Sequence, residues 1–299
     1  MPPRYDMIAI DLDGTLLNSS REVSEANRLA LDDARAAGVR VVICTGRALP
    51  ECEQTLDRIG QDGPVAVAGG SIIACPRKRR TLHRFALEPE LVARAARTLL
   101  GHERPVLILK DPEPASLDYV VVHGTGRHEL EADMHDWFAR WQVRVRFVEH
   151  IEQDEHPDHT VRFGISGPSG RLARIAAELE RQVQGRAVMH AFGRVIHSHA
   201  GEAGGENEDE RPHILEIFDA RASKWSAIRW LADQDGIPDE RICAIGDEVN
   251  DLPMITQAGL GVAMGNAVPS VRAAARRETL RHDDDGVAHA IRRVLDGEW

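Results

Sequence analysis

Asp11-Leu12-Asp13-Gly14-Thr15 sets two carboxylates two residues apart where the apolar run Met7-Ile8-Ala9-Ile10 ends. One carboxylate of such a pair can attack an electrophile while both help to hold a hard cation. The same five residues can also be an acidic turn of a surface loop. Thr45-Gly46-Arg47 brings together a hydroxyl, a flexible backbone amide and a guanidinium, a donor cluster suited to an oxyanion. Lys224 follows the polar stretch Ala220-Arg221-Ala222-Ser223 and, taken alone, is an ordinary surface lysine. In Gly246-Asp247-Glu248-Val249-Asn250-Asp251, the two aspartates four apart can converge on one cation. They can equally form a helix cap with an acidic first turn.

The elements that must position these groups follow from hydrophobic period and punctuation. Met7-Ile10, Val39-Cys44 and Val65-Ala68 are short buried strands. Ser24 can cap a helix that ends near Ala37 with Gly38 behind it, and a second helix runs from about Leu49 to Ile59. This β-α-β-α-β order predicts parallel strands with right-handed crossovers. The middle of the chain predicts helices over Pro89-Leu100, Leu130-Trp141 and Arg171-Val183. Strands are predicted between them, near 106–109, 119–122, 143–148 and 161–165, with a hairpin pairing Ala187-Ala191 and Val195-His199. That pattern predicts an α+β unit with an antiparallel sheet, inserted into the first domain. The acidic, glycine-rich stretch Gly201-Glu210 is expected to be a mobile loop near the return linker. Alternation then resumes, with strands at 214–218, 242–245 and 261–264 and helices at 224–235, 251–258, 268–275 and 286–295. The fold class is therefore α/β: a Rossmann-like parallel-sheet core of residues 1–82 and 211–299, with an inserted domain of residues 83–210. The candidate chemistry then lies beyond the ends of buried strands, where such sheets keep their ligands.

Composition narrows the partners. A net charge of −11 argues against a nucleic acid or an anionic membrane as the main partner. Arg77-Lys78-Arg79-Arg80 is the local exception, expected as a solvated loop or strand edge. No apolar stretch approaches the length of a membrane span, and no signal-peptide run precedes the first strand. Cys44, Cys52, Cys75 and Cys243 form no C-x-x-C pair, which fits reduced thiols and a cytoplasmic protein. The 14 histidines, including His190, His197 and His199, show no compact zinc spacing and are expected to be scattered.

Taken together and in this order, the motifs resemble those of the haloacid dehalogenase-like superfamily. Asp11-Leu12-Asp13-Gly14-Thr15 is similar to its first motif, Thr45 to the second, Lys224 to the third, and Gly246-Asp247 with Asn250-Asp251 to the fourth. The size and element order of the insertion, the run Gly261-Val262-Ala263-Met264-Gly265-Asn266-Ala267 and Asp285-Gly286-Val287-Ala288 resemble the Cof-type subfamily (IIB), whose insertion is an α/β cap. Three departures bear on substrate fit rather than on the reaction. Gly69-Gly70-Ser71 stands where Asn-Gly-Ala is common, Trp225 stands where a glycine usually follows the lysine, and Gly201-Glu210 looks like an insertion.

The resemblance implies a Mg²⁺-dependent phosphatase that works through an aspartyl-phosphate. Asp11 would be the nucleophile, and Asp13 the acid for the leaving oxygen and then the base for water. Asp11, the Asp13 backbone carbonyl and Asp247 would hold Mg²⁺, and Asp251 would orient Lys224 or a metal-bound water. Thr45 and Lys224 would bind the phosphoryl oxygens, Asn250 would add a hydrogen bond, and Gly46 and Arg47 would lie against the phosphate. The cap would close over the site and exclude water. The expected substrates are small phosphorylated metabolites, sugar phosphates first, with no nucleic-acid or membrane partner. Two alternatives are a phosphomutase or phosphotransferase of the phosphomannomutase type and a non-catalytic phosphometabolite-binding protein.

Overall fold

The structure, a computed structural model, describes residues 3–193 and 212–299. In chain order it begins β1 (Met7–Asp11), α1 (Glu25–Ala36), β2 (Arg40–Cys44), α2 (Leu49–Arg58), β3 (Val65–Val67), β4 (Ile72–Cys75) and β5 (Arg80–Arg84). It continues α3 (Pro89–Leu100), β6 (Val106–Lys110), α4 (Pro112–Ala115), β7 (Tyr119–Val122), α5 (Ala132–Arg140), β8 (Val145–Val148), β9 (Thr160–Pro168), α6 (Ser169–Val183), β10 (Ala187–Gly193) and β11 (Pro212–Asp219). It closes with α7 (Lys224–Gln234), β12 (Ile242–Gly246), α8 (Leu252–Gln257), β13 (Leu260–Ala263), α9 (Pro269–Ala274), β14 (Arg277–Glu278) and α10 (Gly286–Leu295). Two units result, one of residues up to His83 together with Ala222–Trp299, the other Arg84–Arg221.

The first unit is built on an eight-stranded sheet in the order β14-β13-β12-β1-β2-β3-β4-β5. Every pair from β14 to β3 is parallel, as the alternating strand and helix pattern requires. All five residues of β1 are buried, so the strand is apolar up to the carboxylate that ends it. Ser24 caps α1 by accepting from the Asn27 backbone N–H, and Asn27, Ala30, Leu31 and Ala34 form its buried stripe. Ser223 caps α7 in the same way, accepting from the Ser226 N–H.

The second unit carries a six-stranded sheet in the order β10-β11-β9-β6-β7-β8. Alternate residues Val106 and Ile108, Val120 and Val122, Phe163 and Ile165, and Leu215 and Ile217 share one core with α3 and α6. The helices present stripes at helical spacing, Leu91, Ala95 and Leu99 from α3 and Leu172, Ile175, Leu179 and Val183 from α6. Its pairs are antiparallel except β7 with β8, which are parallel and joined through α5.

Two expectations are corrected. The strand at 214–218 does not return the chain to the first sheet. As β11 it lies antiparallel between β9 and β10, so the second unit ends at Arg221 rather than at residue 210. Ala187–Gly193 pairs with β11, and the residues expected as its hairpin partner, 195–199, lie outside the described residues. The first sheet is not wholly parallel, because β4 runs antiparallel to β3 and β5 extends that edge. Arg77-Lys78-Arg79 lies in the β4–β5 turn, where Arg77 pairs with Asp62 and Arg79 with Glu53. The expected loop Gly201-Glu210, and His197 and His199, lie outside the described residues. Among the described residues no helix is long and apolar enough to cross a membrane.

Candidate active site

Three adjacent strands of the first sheet, β12, β1 and β2, release the chain at their carboxyl ends into Asp247, into Asp11 with Asp13, and into Thr45. Their parallel register, with Met7 opposite both Ile242 and Arg40, brings those ends to one level. Side chains 236 residues apart in the chain therefore meet, as sheets of this kind allow at the ends of their strands.

Lys224, at the first turn of α7, is the hub. Its ammonium donates to Asp11 Oδ1 at 2.5 Å and to Asp251 Oδ1 at 2.6 Å, and all three side chains are buried. Burial opposes its charge, yet Asp11 and Asp251 outweigh burial and hold Lys224 protonated above its ordinary range. Its place depends on Gly70. That residue has φ +94°, and a Cβ there would lie 2.1 Å from the Ser223 carbonyl oxygen and 2.8 Å from the Lys224 nitrogen. Gly70, the glycine this stretch shares with Asn-Gly-Ala, thus lets the backbone ahead of α7 come against the turn after β3.

Asp251 spends its second oxygen inside the loop, where Oδ2 accepts from the backbone N–H of Asp247 at 2.9 Å and of Glu248 at 3.0 Å. Thr15 Oγ1 donates to Asp247 Oδ1 at 2.8 Å. Asp247 is pushed up to about 6, first by burial and then by Asp251 beside it. Asp11 is raised well above the carboxylate range, first by burial, with Asp251, Asp247 and Asp13 adding to it against the opposing pull of Lys224.

The donor set fits a hard divalent cation. Oxygen atoms of Asp11, Asp247 and Asp251 lie within 4.8 Å of one another, and among the described residues this is the sole such His, Cys, Asp or Glu cluster. Lys224 pairs with Asp11 and Asp251 but not with Asp247, so three carboxylates face one ammonium and the cluster has an excess of negative charge that a divalent cation would offset. With both Asp251 oxygens already accepting, Asp11 and Asp247 are the better-placed ligands. Asn250 adds a buried Oδ1 that has no hydrogen-bond partner among the described residues.

Thr45 and Arg47 are placed by the turn into α2. Thr45 is fully buried, its N–H bonds the Ala66 carbonyl, and its hydroxyl accepts from the Arg47 N–H at 3.1 Å. The sequence reading put the Arg47 guanidinium on a phosphate. In the structure it clamps Asp13 and also donates to the Glu51 carbonyl at 3.1 Å. The Asp13 carboxylate thus stands outside the cluster of three.

Two neighbours of Asp247 were absent from the sequence-level site. Thr15 stood inside the first motif, and Asn266, whose amide approaches Asp247 Oδ2 at 3.3 Å, stood in the Gly261-Ala267 run. Neither position says alone which carboxylate it serves. His190 lies with its ring 5.8 Å from that of Phe218, in the second unit.

A family profile of haloacid dehalogenase-like hydrolases matches residues 8–291. Phosphatase YwpJ of Bacillus subtilis is 29% identical over 97% of this chain and 99% of its own. The 5-amino-6-(5-phospho-D-ribitylamino)uracil phosphatase YwtE of the same organism is 28% identical over 98% and 99%. The crystal structure of a haloacid dehalogenase-like hydrolase from Bacteroides thetaiotaomicron superposes with TM-score 0.75 at 27% identity, covering 97% of this chain and 99% of that one. These matches agree with the Cof-type resemblance of the motifs. The chain belongs to the haloacid dehalogenase-like hydrolase family and is a phosphoric monoester hydrolase.

Proposed function

We propose that the enzyme hydrolyses small phosphorylated metabolites, sugar phosphates first among them, with Mg²⁺ bound and through an aspartyl-phosphate on Asp11. The observation that carries this reading is the cluster of buried Asp11 and Asp251 with half-buried Asp247 beside Lys224 at the strand ends. A relative named for a phosphorylated ribityl compound supports a small polyol phosphate as the substrate class.

Asp11 gives one oxygen to Lys224, and among the described residues its Oδ2 takes no hydrogen bond, so Oδ2 is the attacking atom. It forms a bond to phosphorus as the ester P–O bond breaks, and the leaving oxygen takes a proton from Asp13. Asp13 then removes a proton from water, whose oxygen attacks the same phosphorus, releasing inorganic phosphate and restoring Asp11. Lys224 and the Thr45 hydroxyl bind phosphoryl oxygens, Gly46 offers its N–H, and Asn250 adds its amide. Asp251 keeps Lys224 in place. Mg²⁺, with Asp11, the Asp13 carbonyl and Asp247 as its protein ligands, would offset the charge of phosphate and stabilise the phosphoryl group in transfer.

The test is phosphate release over a panel of sugar phosphates, nucleotides and cofactor phosphates, with Mg²⁺ and then with excess chelator. Release should stop with chelator and return with Mg²⁺. Full turnover in chelator would contradict the mechanism, and a phosphorylated isomer in place of free phosphate would favour the phosphomutase reading.

A further inference from the structure

Two residues outside the four motifs in sequence converge on the Gly14 carbonyl, and one of them reaches the cluster. Asn266 Nδ2 donates to the Gly14 carbonyl at 2.8 Å and reaches Asp247 Oδ2 at 3.3 Å. Its own Oδ1 accepts from the His282 backbone N–H at 2.9 Å. His282 Nδ1 lies 3.2 Å from the same Gly14 carbonyl, which can only accept, so Nδ1 carries the hydrogen. The other ring nitrogen lies 3.1 Å from Ser19 Oγ, and Asp283 takes both the N–H and the hydroxyl of Ser19 at 2.8 and 2.7 Å.

The loop from Gly14 to Ser19 is thus clasped by Asn266, His282 and Asp283. Gly14 has φ +75°, and a Cβ there would sit 2.3 Å from Asp247 Oδ2, so this turn is seated directly on the carboxylate. Thr15 holds one Asp247 oxygen and Asn266 the other. A carboxylate has about four lone-pair sites, so two donors fix its plane and leave lone pairs for a cation.

We propose that Asn266, backed by His282, is a positioning residue for the metal site, fixing the Asp247 carboxylate and the Gly14 turn to each other. It rests on the reading that Asp247 is a metal ligand. Partners behind a metal ligand typically govern affinity by about 10–100-fold when removed. Loss of Asn266 frees Asp247 Oδ2 and the Gly14 carbonyl together. Loss of the His282 ring removes one support of that carbonyl together with the ring's contacts to Ser19 and Asp283, but leaves the backbone N–H to Asn266 and both donors to Asp247 in place, so its effect at Asp247 is smaller.

The test is Mn²⁺ binding by the full chain, read from the free-ion electron paramagnetic resonance signal and competed with Mg²⁺. Wild type, Asn266→Ala, His282→Ala and Asp247→Asn are compared, with the thermal transition of each metal-free protein as the control for folding. Asn266→Ala should weaken Mn²⁺ by about 10-fold or more, and His282→Ala by about 2–5-fold, with thermal transitions near wild type. The Mg²⁺ concentration for half-maximal phosphate release should rise by matching factors. Mn²⁺ affinity within twofold of wild type in both variants would overturn the proposal while leaving the metal site intact. If Asn266→Ala does not fold, His282→Ala decides alone by the same criterion. Unchanged affinity in Asp247→Asn, or no Mn²⁺ bound by wild type, would instead overturn the proposed metal site.

Discussion

Arg47 grips Asp13 with both arms of its guanidinium, Nε to Oδ2 at 2.9 Å and Nη2 to Oδ1 at 2.5 Å. Arg47 is itself buried, whereas the Asp13 side chain is 54% exposed. A planar fork on a carboxylate fixes direction as well as distance, which a lysine cannot reproduce. The fork therefore aims the proposed acid, rather than waiting free for a phosphate.

This separates two roles for Arg47. If it acts through Asp13, Arg47→Lys should slow alkyl phosphate hydrolysis by about 10²-fold and aryl phosphate hydrolysis by only a few-fold, because a good leaving group needs no proton. Asp13→Asn should show the same contrast, with an alkyl loss of about 10²–10⁴-fold. kcat/KM on a series of leaving groups, which reports phosphoryl transfer to Asp11 and not the later hydrolysis of the phosphoenzyme, checks both. Equal losses across the series in Arg47→Lys would return Arg47 to the phosphate, as the sequence reading had it.

Gly70 gives a prediction at a residue with no chemistry of its own. In Gly70→Ala the methyl would collide with the Ser223 carbonyl, so the start of α7 must move and Lys224 with it. A displacement of about 1 Å in a catalytic group can cost about 10²-fold, and a loss of that size is expected in turnover. Circular dichroism should show the fold retained. Near-normal turnover would mean that Lys224 need not sit where it does.

The second unit holds a buried ion pair that tests its folding apart from catalysis. Lys110 is fully buried, bonds Asp154, and donates to Thr160 Oγ1 at 2.7 Å and the His156 carbonyl at 3.1 Å. Removing one partner of such a pair typically costs about 3–5 kcal/mol, so Asp154→Ala should lower the urea midpoint of unfolding sharply. Burial holds Lys110 below its ordinary 10.5, with Asp154 opposing. The unfolded chain then binds that proton more tightly, so this residue's contribution to stability rises with pH through the folded-state value and levels off above 10.5. Unfolding free energies from pH 8 upward should show wild type gaining on Lys110→Met, and a wild type that loses ground would reverse the sign.

How much of this was legible depended on what a short window can hold. Asp11, Thr45 and Asp247 each follow an apolar strand, and strand ends in a parallel sheet converge whatever the loops do. The β11 strand was misassigned because an apolar run shows that it is buried but not in which sheet, and the acidic stretch before it looked like the linker. The β4–β5 pair was missed because the turn is a run of basic residues around strands of four and five residues. Arg47 was aimed at phosphate because a guanidinium beside a threonine says nothing of a carboxylate 34 residues earlier. Asn266 and His282 meet through a backbone N–H, which no residue type announces.

The central claim is that Asp11 carries the phosphoryl group. Rapid quenching of the enzyme with a substrate labelled in its phosphate, followed by peptide mapping, reads that directly. The label should sit on Asp11, and it should accumulate in Asp13→Asn with an aryl phosphate, where hydrolysis of the phosphoenzyme becomes limiting. Asp11→Asn should lose turnover by at least about a thousandfold, because no neighbour can replace the nucleophile. Label on any other residue, or near-normal turnover in Asp11→Asn, would contradict the mechanism.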